Sequence, residues 1–270
     1  MIGQLGTMIY FLLPMTVKAG RTSLLAIPFA GIVSCILAVW TEGRQSKVYT
    51  RVRKILALGF GLLVWYRLSC LLAGYLGRET FWPVAGAVLV ALLLLGRKGM
   101  HNPQGLKTLW GKVLGILLAF LLLFQIPNCN VGYVFAFSGD SMAGVWKEAG
   151  MLLLYNVPFW IGLGKGPGTG QRPYWQKQVG LWLVFFLIFT VLAAVYRFPL
   201  LVQSETMFLN LGRSAAWLGK APVRMEIPAD IVLWVSVFFT LWECAATLWE
   251  AGEVSQKKNS PKEKEGKEAA

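Results

Sequence analysis

The stretch ILALGFGLLVWYRLSCLLAGYL, residues 55–76, decides the fold class. It carries a single charge, Arg67, and it is longer than the about 20 apolar residues a helix needs to cross the hydrocarbon core of a bilayer. Backbone N–H and C=O groups find no water there, so such a segment is helical wherever it meets lipid. Similar runs recur on both sides of it, at Ile2–Val17, Leu24–Trp40, Phe81–Leu95, Leu109–Ile126, Ala149–Leu163, Val179–Leu201 and Ile227–Trp249, which makes eight predicted spans. The expected architecture is an all-α, polytopic helical membrane protein.

Composition agrees. Of 270 residues, 56% are hydrophobic and 14% charged, with a mean hydropathy of +0.57. A soluble domain carries about 25% charged and about 45–50% apolar residues. A soluble enzyme, a nucleic-acid-binding domain and a disordered chain are thereby excluded. The net charge of +13 lies between apolar runs, where membrane insertion accounts for it without nucleic acid.

Orientation follows from the basic residues of the connections. Arg44, Lys47, Arg51, Arg53 and Lys54 separate spans 2 and 3, Arg97, Lys98 and Lys107 separate spans 4 and 5, with Lys112 at the edge of span 5, and Lys165, Arg172 and Lys177 separate spans 6 and 7. With five lysines of the tail, these are 17 of the 26 basic residues, all on one side. Both termini are therefore expected in the cytoplasm, in agreement with an even number of spans. Residues 1–251 form the predicted membrane domain. Residues 252–270, GEVSQKKNSPKEKEGKEAA, mix both signs of charge, hold few apolar groups and read as a disordered cytoplasmic tail. A secretory signal peptide would open with a basic region, and no charge precedes Lys18.

Other motifs give little chemistry. GLGKGPGTGQ, Gly162–Gln171, lacks the residue order of a phosphate-binding loop and reads as a cytoplasmic turn. Cys35, Cys70, Cys129 and Cys244 have no paired spacing and read as small buried hydrophobes, and His101 is the only histidine. No metal, cofactor or catalytic constellation is expected. Trp40, Trp82, Trp110 and Trp249 lie near span ends, where interfacial belts occur.

Two spans are interrupted where a site is expected. Span 1, IGQLGTMIYFLLP, has Gly3, Gly6 and Thr7 early and Pro14 late, and span 6, AGMLLLYNVPFWIGLG, has Tyr155, Asn156 and Pro158 in its middle. Proline removes a backbone donor and frees carbonyls, and glycine lets the backbone unwind. In transporters made of two inverted five-helix repeats, the first helix of each repeat is broken near mid-membrane and binds substrate there. Spans 1 and 6 hold those two positions. Intramembrane ionisable groups are costly and mark candidate functional residues: Glu243 in span 8 and Arg67 in span 3 are candidates for ion or proton coupling, by pairing or by proton carriage.

The opening GTMIYFLLPMTVKAGRTSLLAIPFAG resembles the first two helices of spore germination receptor B subunits, with Gly6, Leu13-Pro14 and Ala19-Gly20 at the matching positions. YLGRETFWPVAGAVLVALLLLGRKGM resembles the family's extracellular turn into helix 4, and RMEIPADIVLWVSVFF its approach to helix 8, with Trp234 at the matching tryptophan. The resemblance implies the amino acid–polyamine–organocation superfamily, a ten-helix, five-plus-five inverted-repeat fold, the spore inner membrane, and A- and C-type partner subunits. Two departures stand out. The chain ends after span 8, as if helices 9 and 10 were truncated. Span 6 has Tyr155-Asn156-Val157-Pro158 where the family has a glycine-rich break with a carboxylate.

The expected function is that of a membrane subunit sensing a small zwitterionic nutrient such as an amino acid, held between spans 1, 3, 6 and 8. Backbone N–H groups near Gly6 and Thr7 would hold its carboxylate. Carbonyls near Asn156 and Pro158, with Glu243, would hold its amine. Two rival readings use the same residues: a proton-coupled amino acid transporter acting through Glu243, and a non-transporting assembly subunit that binds membrane partners alone.

Overall fold

The computed structural model describes residues 2–19, 22–41, 47–97, 104–135, 141–160, 173–195 and 226–259, and these are helical with short connections and no strand. The first helix is composite: α1 (Ile2–Thr7), a π-helical turn (Met8–Leu12) and α2 (Leu13–Ala19). There follow α3 (Ser23–Thr41), α4 (Lys47–Leu76), α5 (Phe81–Arg97), α6 (Gln104–Gln125), the short α7 (Val131–Phe135), α8 (Met142–Trp160), α9 (Tyr174–Val195) and α10 (Glu226–Asn259).

Each predicted span falls on one of these helices. Among the described residues, three helices are long and apolar enough to cross a membrane, over Ser23–Trp40, Arg51–Gly74 and Tyr174–Val195, and shorter apolar helices cover Phe81–Leu94, Leu109–Phe120 and Leu233–Leu248. Their outward faces are apolar too. Leu25, Ile32 and Ile36 on α3, Leu62 and Leu63 on α4 and Leu183 and Leu187 on α9 are all exposed. Water penalises such a surface and lipid does not, so the chain is an integral membrane protein.

Boundaries differ from the sequence reading in several places: α4, α6 and α9 begin at Lys47, Gln104 and Tyr174 rather than Ile55, Leu109 and Val179, and α8 and α10 also run beyond their predicted spans. Helix α8 begins at Met142 rather than Ala149, because MAGVWKE, although partly polar, contains no residue that stops a helix. Helix α10 runs on to Asn259, into the segment assigned to the tail, since Glu253, Gln256, Lys257 and Lys258 are good helix formers. The rest of the tail, His101, Arg197 and the Gly162–Gln171 turn lie outside the described residues.

Two apolar cores organise the bundle. The first gathers Met8, Leu12 and Leu13 of the composite helix with Ala26 and Ile27 of α3, Leu152 of α8 and Phe185 and Phe189 of α9. The second gathers Phe60 and Val64 of α4, Val88 and Leu92 of α5 and Phe239 and Trp242 of α10. Tyr10, Tyr155 and Trp110 pack against both. Within them α3 lies on α8 and α9, α10 lies on α1 and α4, and α4 also lies on α5.

The π-helical turn has a cause in the sequence. Pro14 has no N–H to give and its ring crowds the carbonyl one turn before it. Widening the preceding turn relieves that contact, and the Leu13 N–H bonds to the Met8 carbonyl five residues back. The expected unwinding at Gly3, Gly6 and Thr7 does not occur; the backbone stays helical through all three.

Candidate functional site

Gly3 and Gly6 are crossing points. A Cβ at Gly3 would stand 2.4 Å from Thr240 Oγ1 and 2.9 Å from the Thr240 backbone nitrogen, and one at Gly6 would stand 2.3 Å from the Ser236 Cβ. Small residues on both helices let the backbones of α1 and α10 approach closely, which is how helices associate where lipid is as apolar as the side chains. Position 3 meets 240 and position 6 meets 236, so the two helices run antiparallel.

Beside this crossing lies a closed amide clasp. Gln4 Nε2 donates to Asn156 Oδ1 at 3.0 Å and to Gln178 Oε1 at 3.3 Å, while Gln178 Nε2 donates back to Gln4 Oε1 at 3.0 Å. Asn156 Nδ2 donates to the Leu152 carbonyl at 2.9 Å. All three side chains are buried. They tie α1, α8 and α9 together, and because each amide spends its groups on the others, the cost of burying them is met internally. Thr7 turns inward as well, its hydroxyl bonding back to the carbonyls of Gly3 and Gln4.

Of the residues singled out from the sequence, Asn156 meets span 1 through Gln4, Gly3 and Gly6 meet α10 instead, and Thr7 bonds within its own helix. Tyr155 packs its ring on Phe11, at 5.9 Å between centroids, and on Phe60, at 5.4 Å. Pro158 is buried inside α8, which continues through it to Trp160. The two ionisable candidates occupy different surroundings. Glu243 is buried on α10, in line with Ser236, Thr240 and Thr247, whereas Arg67 lies on an exposed face of α4.

The open space is elsewhere. A cavity of about 400 Å³ lies between α2 and α8, walled by Leu12, Met15, Met151 and Leu152, with Lys147 and Glu148 contributing the charge. Glu148 is only 8% exposed. Thr22 Oγ1 donates to its Oε2 at 2.9 Å, and Ser23 Oγ donates to its Oε1. The same hydroxyls also face the last turn of α2: Thr22 Oγ1 is 2.9 Å from the Ala19 carbonyl and Ser23 Oγ is 2.5 Å from the Thr16 carbonyl.

Gln4, Gln178 and Glu148 escaped the sequence reading, each for a legible reason. Glu148 sits one residue before the segment taken as span 6, yet Glu148, Leu152 and Asn156 recur every fourth residue and so share a helix face. Gln4 and Gln178 are uncharged and lie near span ends, where polar residues attract no notice. Of the aromatic belt, Trp40 and Trp82 are exposed near helix ends, whereas Trp110 is packed between the two cores. The cysteines are free, and of the four only Cys244 is fully buried.

No protein-family model matches the chain, and no curated protein or solved structure matches it either. The class defined by the fold is an all-helical integral membrane protein with a polar, partly hollow junction between its first, third and eighth helices in the numbering used here.

Proposed function

We propose that the chain is a membrane subunit of transporter-like, inverted-repeat architecture, and that it binds a small zwitterionic nutrient in order to signal. The eight predicted spans correspond, in order, to the composite helix, α3, α4, α5, α6, α8, α9 and α10. The observation that carries this reading is the pattern of helix packing. In two repeats of five spans, a contact between two spans has an equivalent between the spans five places away. The packing of spans 2 and 7 (α3 on α9), of 3 and 8 (α4 on α10) and of 1 and 6 (α2 on α8) maps onto itself. The crossing of spans 1 and 8 has its counterpart in spans 6 and 3, since α8 lies on α4. The Gln4–Gln178 link of spans 1 and 7 has its counterpart in the packing of spans 6 and 2.

The clasp and the cavity supply the working parts. Gln4, Asn156 and Gln178 close the junction towards the N-terminal end of span 1, while the cavity lies along its other half. With both termini cytoplasmic, as the basic residues suggest, the cavity faces outward. A ligand that binds one arrangement of spans 1, 2 and 6 more tightly than another shifts the population between them. The resemblance to germination receptor B subunits suggests that A- and C-type subunits receive that bias in the spore inner membrane.

The test uses the purified chain in liposomes with a panel of labelled amino acids, measuring binding and counterflow on one sample. Binding without flux is the expected result. Flux above that of empty liposomes replaces the receptor reading with the transporter, and absence of any binding replaces it with the assembly subunit.

A further inference from the structure

We propose that the cluster formed by Glu148, Thr22, Ser23 and the last turn of α2 is a subsite for the primary ammonium group of an amino-acid-like zwitterion. The assignment rests on the nutrient-binding reading above and adds to it a place and a chemistry.

The argument is a count of donors and acceptors. Thr22 and Ser23 each own one hydroxyl proton. Four acceptors compete for those two protons: both carboxylate oxygens of Glu148, the Ala19 carbonyl and the Thr16 carbonyl. The two carbonyls belong to the final turn of a helix, whose end carries partial negative charge. Among the described residues, the partners of the Glu148 carboxylate are these two hydroxyls and no cation. A buried carboxylate without a counter-charge is costly. Among the described residues the cluster is therefore rich in acceptors and short of donors, and it is negative when Glu148 is ionised.

An ammonium group is the complement on every count, with three donors, no acceptor and a positive charge. The adjoining cavity of about 400 Å³ is within the size range of small-molecule sites. Its walls of Leu12, Met15, Met151 and Leu152 suit an aliphatic body, and Lys147 lines the same space and can meet a carboxylate. Glu148 and Lys147 thus offer the two opposite charges of a zwitterion at one cavity.

The test begins with the wild-type chain in lipid nanodiscs and choline chloride buffer. Labelled amino acids are titrated, then competed with their own N-acetyl derivatives, with methylammonium and with sodium. The expected results are binding of an amino acid, competition by methylammonium, and weakening by about tenfold or more on N-acetylation. Glu148→Gln, which keeps shape and removes charge, should weaken binding to a similar degree. Lys147→Gln should weaken the amino acid and leave methylammonium competition intact.

If the N-acetyl derivative binds equally well, or Glu148→Gln leaves affinity unchanged, the subsite is wrong and the nutrient-binding reading survives. Displacement by sodium with none by methylammonium assigns the cluster to a metal cation and overturns the proposal. If no amino acid binds the wild type, both readings fall. The N-acetyl comparison needs no variant, so a folding defect in Glu148→Gln does not rescue the proposal.

Discussion

Gly6→Ala tests how closely α1 and α10 cross. The new Cβ would stand 2.3 Å from the Ser236 Cβ and 3.1 and 3.2 Å from the Ser236 carbonyl carbon and Cα. Carbon atoms rest about 3.5–4.0 Å apart, so the helices must separate by about 1.2–1.7 Å along that contact. A shift of that size also loosens the Gly3–Thr240 contact one turn away. Overpacking costs about 1–3 kcal/mol. The upper half of that range is expected here, because the atoms met are a Cβ and main chain rather than the tip of a flexible side chain. The assay is SDS-driven unfolding in mixed micelles for wild type, Gly6→Ala, Ser236→Gly and the double variant. Ser236→Gly removes the nearest atom, so the double variant should recover stability with a coupling of about 1–2 kcal/mol. If Gly6→Ala lies within about 0.5 kcal/mol of wild type, as ordinary surface changes do, the close crossing is refuted.

Other expectations follow from the polar groups. Gln4→Leu should destabilise the bundle by about 1–2 kcal/mol, because it leaves Gln178 without its reciprocal partner, and Gln4→Leu with Gln178→Leu should cost less than the sum of the singles in the same unfolding assay. If the chain is a proton-coupled transporter, Glu243→Gln should abolish pH-driven uptake in liposomes while leaving amino acid binding largely intact; loss of binding in that variant places Glu243 at the amine instead. Glu79 lies in the turn between α4 and α5 and Gln176 near the start of α9, and both are exposed. In a cysteine-free background, an impermeant maleimide applied to intact cells should label Glu79→Cys and spare Gln176→Cys, and the reverse pattern inverts the topology. Cys244 is 1% exposed, so a membrane-permeant maleimide should modify Cys35 and Cys70 well before it in the folded wild-type chain.

What the sequence disclosed was set by periodicity and length. An apolar run such as residues 55–76 has one physical solution in lipid, so the helices could be placed, although α4, α6 and α9 begin one to two turns before their apolar runs. The largest extensions, the starts of α4 and α8 and the end of α10, are stretches where polar helix formers extend an apolar segment. The irregular sequence of spans 1 and 6 was also legible, through Gly3, Gly6, Asn156 and the two prolines. Their roles were not. Glycine permits both unwinding and close approach, and only the position of α10 chooses between them. Proline at 14 announces a disturbed turn without saying whether it opens or widens. The acceptor cluster at Glu148 was beyond reach, because it brings the junction of α2 and α3 against α8, more than a hundred residues away in sequence.

The widened turn at Met8–Leu12 has a mechanical consequence. Seven residues make nearly two turns of an unbroken α-helix, so Leu13 would lie directly beyond Gly6 along the same edge. One additional residue absorbed in the intervening turn sets the phase back by about 100°. Gly6 accordingly abuts α10, while Leu13 enters the core shared with α3, α8 and α9. Span 1 is thus a crankshaft: its two throws are set at different angles on one axis, and the joint between them has a pitch that can change without breaking the rod. If that turn tightened by one residue, the half that carries Gln4 would rotate against the half that carries Thr16. Torque applied at one face of the membrane would then arrive at the other with no helix having to slide.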